Sequence, residues 1–264
     1  MASDNLKPTN LWIVSDQFLT ALLQLAQVSD ERCRARWSWG ERQGTELHGR
    51  DALLLSHEAE LAADLQLRGQ VERLLTEAQR AFGELRGLLA GVPEPLLDAE
   101  PGGSEWTLRQ LLIHTLVVER RYRAQTAYAL RRSDDQPVYQ DLQLEESEAD
   151  RQGGVRPWIE RLAAERSETA ATITDAETLL HRPTVWAGYE VDVRFRLARF
   201  AGHLAEHTVQ AEKVLGVLGW QPSEAQRLVR RISAARAAHE LCSKNGFLAE
   251  LDALHLQRAA ELTS

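Results

Sequence analysis

His203 and His207 stand four residues apart in the stretch RFAGHLAEHTVQAEKVLGVLG, residues 199–219. Phe200, His203, His207, Ala211 and Val214 recur at helical spacing and share one face of an amphipathic helix. An i, i+4 pair lies about 40° apart around the axis, so both imidazoles reach one point on the apolar side. Neutral imidazoles in that relation suit a divalent metal such as Zn²⁺, Ni²⁺, Fe²⁺ or Mn²⁺, but two of them do not hold it alone. The chemistry depends on where a third ligand comes from. His114 lies within SEWTLRQLLIHTLVVERRY, between Leu111 and Val118 on a side also carrying Leu108, Leu112, Thr115 and Tyr122. It is the other histidine on a strongly apolar helical face. Taken alone, it reads as an ordinary core histidine.

Other residues near these motifs carry competing readings. His203-Leu204-Ala205-Glu206-His207 fits H-x-x-E-H, an inverted zinc-peptidase signature, with Glu206 as base and Glu224 or Glu240 as third ligand. Those peptidases need a larger mixed α/β architecture, so Glu206 reads as a flank of an Arg/Glu-rich helix. Gln210, one turn after His207, is placed to hydrogen-bond a ligand from behind. Glu119 reads as a solvated partner for Arg123, four residues on. Trp158 and Trp186 read as core, while Tyr122 and Tyr189 are candidates to offer a hydroxyl. His48, His57, His181, His239 and His255 share no face.

The elements that must position these groups are helical. A stripe from Asn10 to Asp30 includes Leu11, Val14, Phe18, Leu22 and Leu25. Arg32–Gly49 reads mostly as a connection. Helical periodicity resumes from Asp51 to Ala90, with a break expected near Ala63–Gly69 and a main helix running to Leu89. Thr107 and Gln110 form a capping box, and Trp106 is placed to staple onto Leu111; that helix runs to about Arg131. Ser133–Val155 is an acidic crossover, Arg156–Asp175 a third core helix, and His181–Glu190 irregular. A fourth helix runs from about Val191 to Leu218, stopped by Gly219. Ser223 and Gln226 write another capping box, opening a helix to about Cys242, and Phe247–Leu262 is a last helix. No strand pattern of any length is visible, so the fold class is all-α.

Composition bounds the function. The chain has 264 residues, 44% hydrophobic and 27% charged, with a net charge of −8. No basic block is present, which argues against a dedicated nucleic-acid surface. No apolar run approaches the roughly 18 residues of a membrane span. Cys33 and Cys242 are the two cysteines and form no CxxC, and the N-terminus shows no basic-then-apolar leader. A soluble, cytoplasmic protein is expected.

The two histidine segments together resemble the DinB/YfiT-like family of metal-dependent four-helix bundles. The matching features are the Trp106-Thr107 entry into a helix, His114 one to two turns in, and His203-x-x-x-His207 followed by Gln210 and a Leu-Gly end. The resemblance covers 65–221 and implies a four-helix bundle with long crossover connections. It implies His114, His203 and His207 as ligands to one divalent metal. Residues 1–64 and 222–264 fall outside it and are expected to be helical extensions, with a homodimer expected because their apolar stripes lack assigned partners. Relatives in the wider superfamily join low-molecular-weight thiols to electrophiles. The resemblance therefore implies a metal that activates a small thiol or water, with a non-catalytic metal-binding stress-response protein as the alternative.

Overall fold

The computed structural model describes residues 69–141, 144, 148–173 and 176–222, with residues 31, 34–36, 47–49, 226, 227, 230, 233, 234, 236, 237 and 240. The expected Asn10–Asp30 and Phe247–Leu262 helices, Cys33 and Cys242 lie outside them. The chain divides into two compact units, Met1–Leu54 and Leu55–Ser264. In the first, Arg36 and His48 form an antiparallel bridge, and the Gly49 N–H donates to Ala35 O at 2.9 Å.

Among the described residues the second unit contains four long helices: α1 (Gln70–Leu89), α2 (Leu108–Arg131), α3 (Val155–Ile173) and α4 (Val193–Val217). Helix α1 buries Val71, Leu74, Leu75, Ala78, Phe82, Leu85, Leu88 and Leu89, spaced three and four apart. Gly69 offers no side-chain cap; the Glu177 carboxylate instead accepts from the Gln70 and Val71 N–H groups at 2.8 and 2.9 Å. Glu94 serves α3 in the same way through the Val155 N–H. A carboxylate at the positive end of a helix satisfies orphan donors and the macrodipole together. Helix α2 opens with the expected capping box, Thr107 Oγ1 accepting from Gln110 N and Gln110 Oε1 from Thr107 N.

Helix α1 packs beside α3 and α4, and α2 packs beside the same two. Residue pairs give the directions. Gln70 meets Glu177 and Glu94 meets Val155, so α1 and α3 are antiparallel. Arg109 reaches Gly153 O while Arg120 meets Glu165, so α2 and α3 are parallel. Tyr122 meets Phe200 while His114 meets His207, so α2 and α4 are antiparallel. Two parallel neighbours need a connection that returns along the bundle, and α2, of 24 residues, is about 36 Å long. Residues 132–154 supply that return, with one short 3-10 turn at Glu148–Arg151. The core centres on Phe82, Leu85, Leu111, Leu112, Leu116, Trp158, Leu204 and Leu215.

Two sequence expectations are corrected. The stretch read as irregular is an antiparallel hairpin, β1 (Pro183–Trp186) and β2 (Tyr189–Asp192), closed through Ala187 at φ 48° and Gly188 at φ 83°. Two central residues with positive φ make a type I′ turn, which matches strand twist. Glu119 is not a solvated partner of Arg123. It is 4% exposed and accepts from Arg166 Nη1 and Thr169 Oγ1, both at 2.7 Å, across the α2–α3 seam, while Arg123 pairs with Glu165 at 2.8 Å. The Gln226 amide donates to Gly91 O at 3.0 Å at the end of α1; Ser223, with which it was expected to form a capping box, lies outside the described residues.

The described residues from Gln226 to Glu240 are helical and lie against α1. A Cβ on Gly83 would stand 2.6 Å from Ala237 Cβ and from Ser233 O, so glycine sets that close approach. Among the described residues no helix is long and apolar enough to cross a membrane.

Candidate metal centre

Helix α4 turns His203 and His207 inward, 6% and 3% exposed, between Phe200 and Ala211. Asp192 fixes the start of that helix by accepting from Phe195 N at 2.7 Å, which sets which face looks at α2. Helix α2 runs the opposite way and brings His114, half-buried, onto the same point. The Nε2 atoms of His203 and His207 are 2.8 Å apart, and those of His203 and His114 are 3.4 Å apart. Potential ligand atoms of all three lie within 4.8 Å of one another. Among the described residues no other histidine, cysteine, aspartate or glutamate joins this cluster.

The donor set can be tested against a metal. Metal–nitrogen bonds of about 2.0–2.1 Å at a tetrahedral angle put ligand nitrogens roughly 3.3 Å apart, close to the His114–His203 separation. The shorter His203–His207 edge is near the roughly 3.0 Å cis edge of an octahedron at the same bond length. Three ring nitrogens facing one point in an apolar setting repel through their lone pairs unless something positive lies between them. One proton can bridge only one pair at a time. A divalent cation satisfies all three, so the residues fit such an ion.

The surroundings hold the rings in place. His207 Nδ1 faces Gln210 Oε1 at 3.0 Å. With that nitrogen as the donor, the Nε2 lone pair points to the centre. Neighbouring hydroxyls are spent elsewhere: Thr115 Oγ1 donates to Leu111 O and Thr208 Oγ1 to Leu204 O, both at 2.8 Å. The Tyr122 ring lies 5.6 Å from that of His203, and its hydroxyl accepts from Trp186 Nε1 at 3.2 Å. Tyr189 is buried in the hairpin on β2. Trp106 was expected to staple onto Leu111. It is 39% exposed, with its ring 4.9 Å from that of His114, so it stands at the solvent side of the centre.

The H-x-x-E-H reading is laid out differently. Glu206 accepts from Arg199 Nη2 at 3.0 Å. Glu240 accepts from Gln79 and Arg86 on α1, and Glu224 lies outside the described residues. His48 lies in the first unit and His181 is exposed; His57, His239 and His255 lie outside the described residues.

Sequence reasoning missed two arginines. Arg199 and Arg196 are 4% and 3% exposed on α4, one and two turns before His203. Their signal was a charge recurring at i−4 and i−7 within the apolar stripe. Arg199 lies 5.1 Å over the Trp186 ring and Arg196 lies 4.5 Å over the Tyr122 ring. Burial holds the Arg196 guanidinium below its ordinary pKa, and the neighbouring Arg199 charge acts in the same direction.

The sequence matches the DinB superfamily over residues 77–211, just over half of the chain and inclusive of all three histidines. Among solved structures it is similar to YfiT from Bacillus subtilis, described as "a probable metal-dependent hydrolase with an unusual four-helix bundle topology". That similarity has 13% identity and a TM-score of 0.48, covering 57% of this chain and 89% of that one. No curated protein matches the chain.

Proposed function

We propose that this chain, which belongs to the DinB superfamily, is a metal-dependent enzyme whose divalent ion is held by His114, His203 and His207. The observation that carries the reading is the meeting of three imidazole Nε2 atoms from two antiparallel helices, with Gln210 behind His207. Three protein ligands leave room for an exogenous one, which is the coordination of a catalytic rather than a structural site. The half-buried His114 and the exposed Trp106 mark the side from which that ligand arrives.

When bound, the ion supplies Lewis-acid activation of a small thiol or of water. The chain's own residues then have distinct tasks. With its Nδ1–H donating to Gln210 Oε1, His207 presents its Nε2 lone pair to the ion. Phe200, Tyr122 and Leu204 keep bulk water from the inner side. Trp106 offers an aromatic face beside His114 to an incoming apolar group. We favour transfer of a small thiol to an electrophilic carbon.

The test is elemental analysis of protein purified without a histidine tag, wild type beside His207→Ala. About one divalent ion per chain, lost in the variant, supports the reading. Thiol–electrophile and ester-hydrolysis assays on the loaded protein then separate the two reactions. Failure of wild type to take up Zn²⁺, Ni²⁺, Fe²⁺ or Mn²⁺ on reconstitution overturns it.

A further inference from the structure

Arg196 sits in the first turns of α4, where the positive helix end already disfavours a cation. It is 3% exposed. Among the described residues no carboxylate pairs with it. Its Nη2 donates to Val185 O, its Nε has no partner, and its guanidinium lies 4.5 Å over the Tyr122 ring. The nearby Asp192 carboxylate is committed to capping the helix. Arg199, the neighbouring cation, has Glu206 as a partner; Arg196 has none of that kind. A buried charge left without a counter-charge is expensive.

The hairpin explains how the charge is held there without being neutralised. Val185 and Pro183 are opposite Glu190 and Asp192, and alternate residues of β1 turn their carbonyls away from β2. Arg196 takes the Val185 carbonyl, and Arg132, also buried, reaches Pro183 O at 3.5 Å with its own Nε unpartnered. Thr184, between them, is fully buried, and among the described residues its hydroxyl has no partner. The Tyr122 hydroxyl accepts from Trp186, which leaves its own proton to give. Unspent donors therefore gather at this end of the α2–α4 seam.

Their distance from the metal centre is set by the helix. Arg196 and His203 are two turns apart on one face, about 10.5 Å along the axis. Both groups contact the same Tyr122 ring. We propose that the Arg196 guanidinium, with the Tyr122 hydroxyl, binds a carboxylate of the substrate, so the enzyme acts on carboxylate-bearing small molecules. The inference rests on the metal-enzyme reading above for the word substrate, while the anion site itself stands on Arg196 and Tyr122.

The experiment is calorimetric titration of the full chain, loaded with Zn²⁺, with succinate, glutarate and adipate, each beside its uncharged diamide. Metal content is measured on the same samples. At least one dicarboxylate binds while its diamide does not, Arg196→Met weakens binding at least tenfold with metal content unchanged, and Arg196→Lys restores part of it. Tyr122→Phe weakens the same titration severalfold and keeps the proposal testable if Arg196→Met does not fold. Thermal melts add a second readout: the best dicarboxylate raises the wild-type midpoint and leaves that of Arg196→Met unmoved. If Arg196 only caps the Val185 carbonyl, Arg196→Met melts lower and no carboxylate moves the wild type, which overturns the proposal. Binding of inorganic phosphate alone, with no dicarboxylate binding, also overturns it. Carboxylate binding that depends on Arg196 in a protein that takes up no metal supports the anion site and refutes the metal reading instead.

Discussion

Gln210→Ala removes the acceptor that faces His207 Nδ1 at 3.0 Å. His207 is 3% exposed, so water does not readily replace the lost partner and a buried N–H is left unsatisfied. That penalty is about 1–3 kcal/mol, and it falls on the ligating tautomer, since the freed ring can protonate or turn the wrong nitrogen inward. The expected loss in metal affinity is about 10–100-fold, the range seen for partners standing behind metal-bound histidines. Gln210→Glu supplies a stronger acceptor in the same place and tightens binding. The assay is competition for Zn²⁺ against a chelator of known affinity at fixed pH, with melts of the metal-free proteins to show that both variants fold. Affinities within about twofold of wild type for both variants would refute the argument that Gln210 sets the His207 tautomer.

Three further predictions concern the scaffold. Glu119→Gln strands the Arg166 charge in a site where both side chains are at most 5% exposed, and costs about 3–5 kcal/mol by denaturant unfolding. The double change Glu119→Leu with Arg166→Met recovers most of that loss; equal losses in single and double variants would exclude a charge effect. Ala187→Gly relieves a non-glycine residue held at φ 48° and raises stability by about 1 kcal/mol, read as a higher melting temperature. Asp98 is held below its ordinary pKa of 3.8 by hydrogen bonds from Arg109, so this pair contributes stability above that pH and loses it as pH falls through the lowered value. Because Asp98 is 66% exposed, Asp98→Asn costs no more than about 1 kcal/mol at pH 7, and the difference from wild type disappears in acid.

What could be read from the sequence was local. The 3.6-residue recurrence of apolar positions gave α1, α2, α3 and α4 nearly to their ends, and the Thr107–Gln110 pair gave the start of α2. The i, i+4 relation of His203 and His207 follows from helix geometry alone. What could not be read depends on partners far away in the chain. Glu177 caps α1 from 107 residues downstream, and no local pattern distinguishes it from any exposed glutamate. Glu119 has an arginine four residues on, and intrahelical spacing favours that pair; the fold instead offers Arg166 in a drier place. The hairpin escaped notice because its turn is Ala187-Gly188, not the Asn-Gly or Asp-Gly that marks type I′ turns, and its strands have four residues each.

The histidines meet only if α2 and α4 pack in one register, and the core sets that register. Tyr122 meets Phe200 edge-on at 5.5 Å, about two turns below His114, and the same ring contacts His203 and Arg196. A slip of α4 by one turn, about 5.4 Å, would carry His203 past His114 and pull Phe200 from Tyr122 at once. The hairpin guards against that slip from the other end. Val193 N and Arg194 N donate to Arg182 O and Leu180 O, each at 2.9 Å, so the first residues of α4 are tied to the chain entering β1. Trp186 then bonds the hairpin to Tyr122 on α2. A displacement that opened the metal centre would therefore have to break aromatic packing, hairpin hydrogen bonds and the Tyr122 contact together. The long return of residues 132–154 serves the same end, because it lets α2 and α3 run parallel and leaves α4 free to lie antiparallel to α2. The centre is specified by contacts that are mostly apolar and lie outside it.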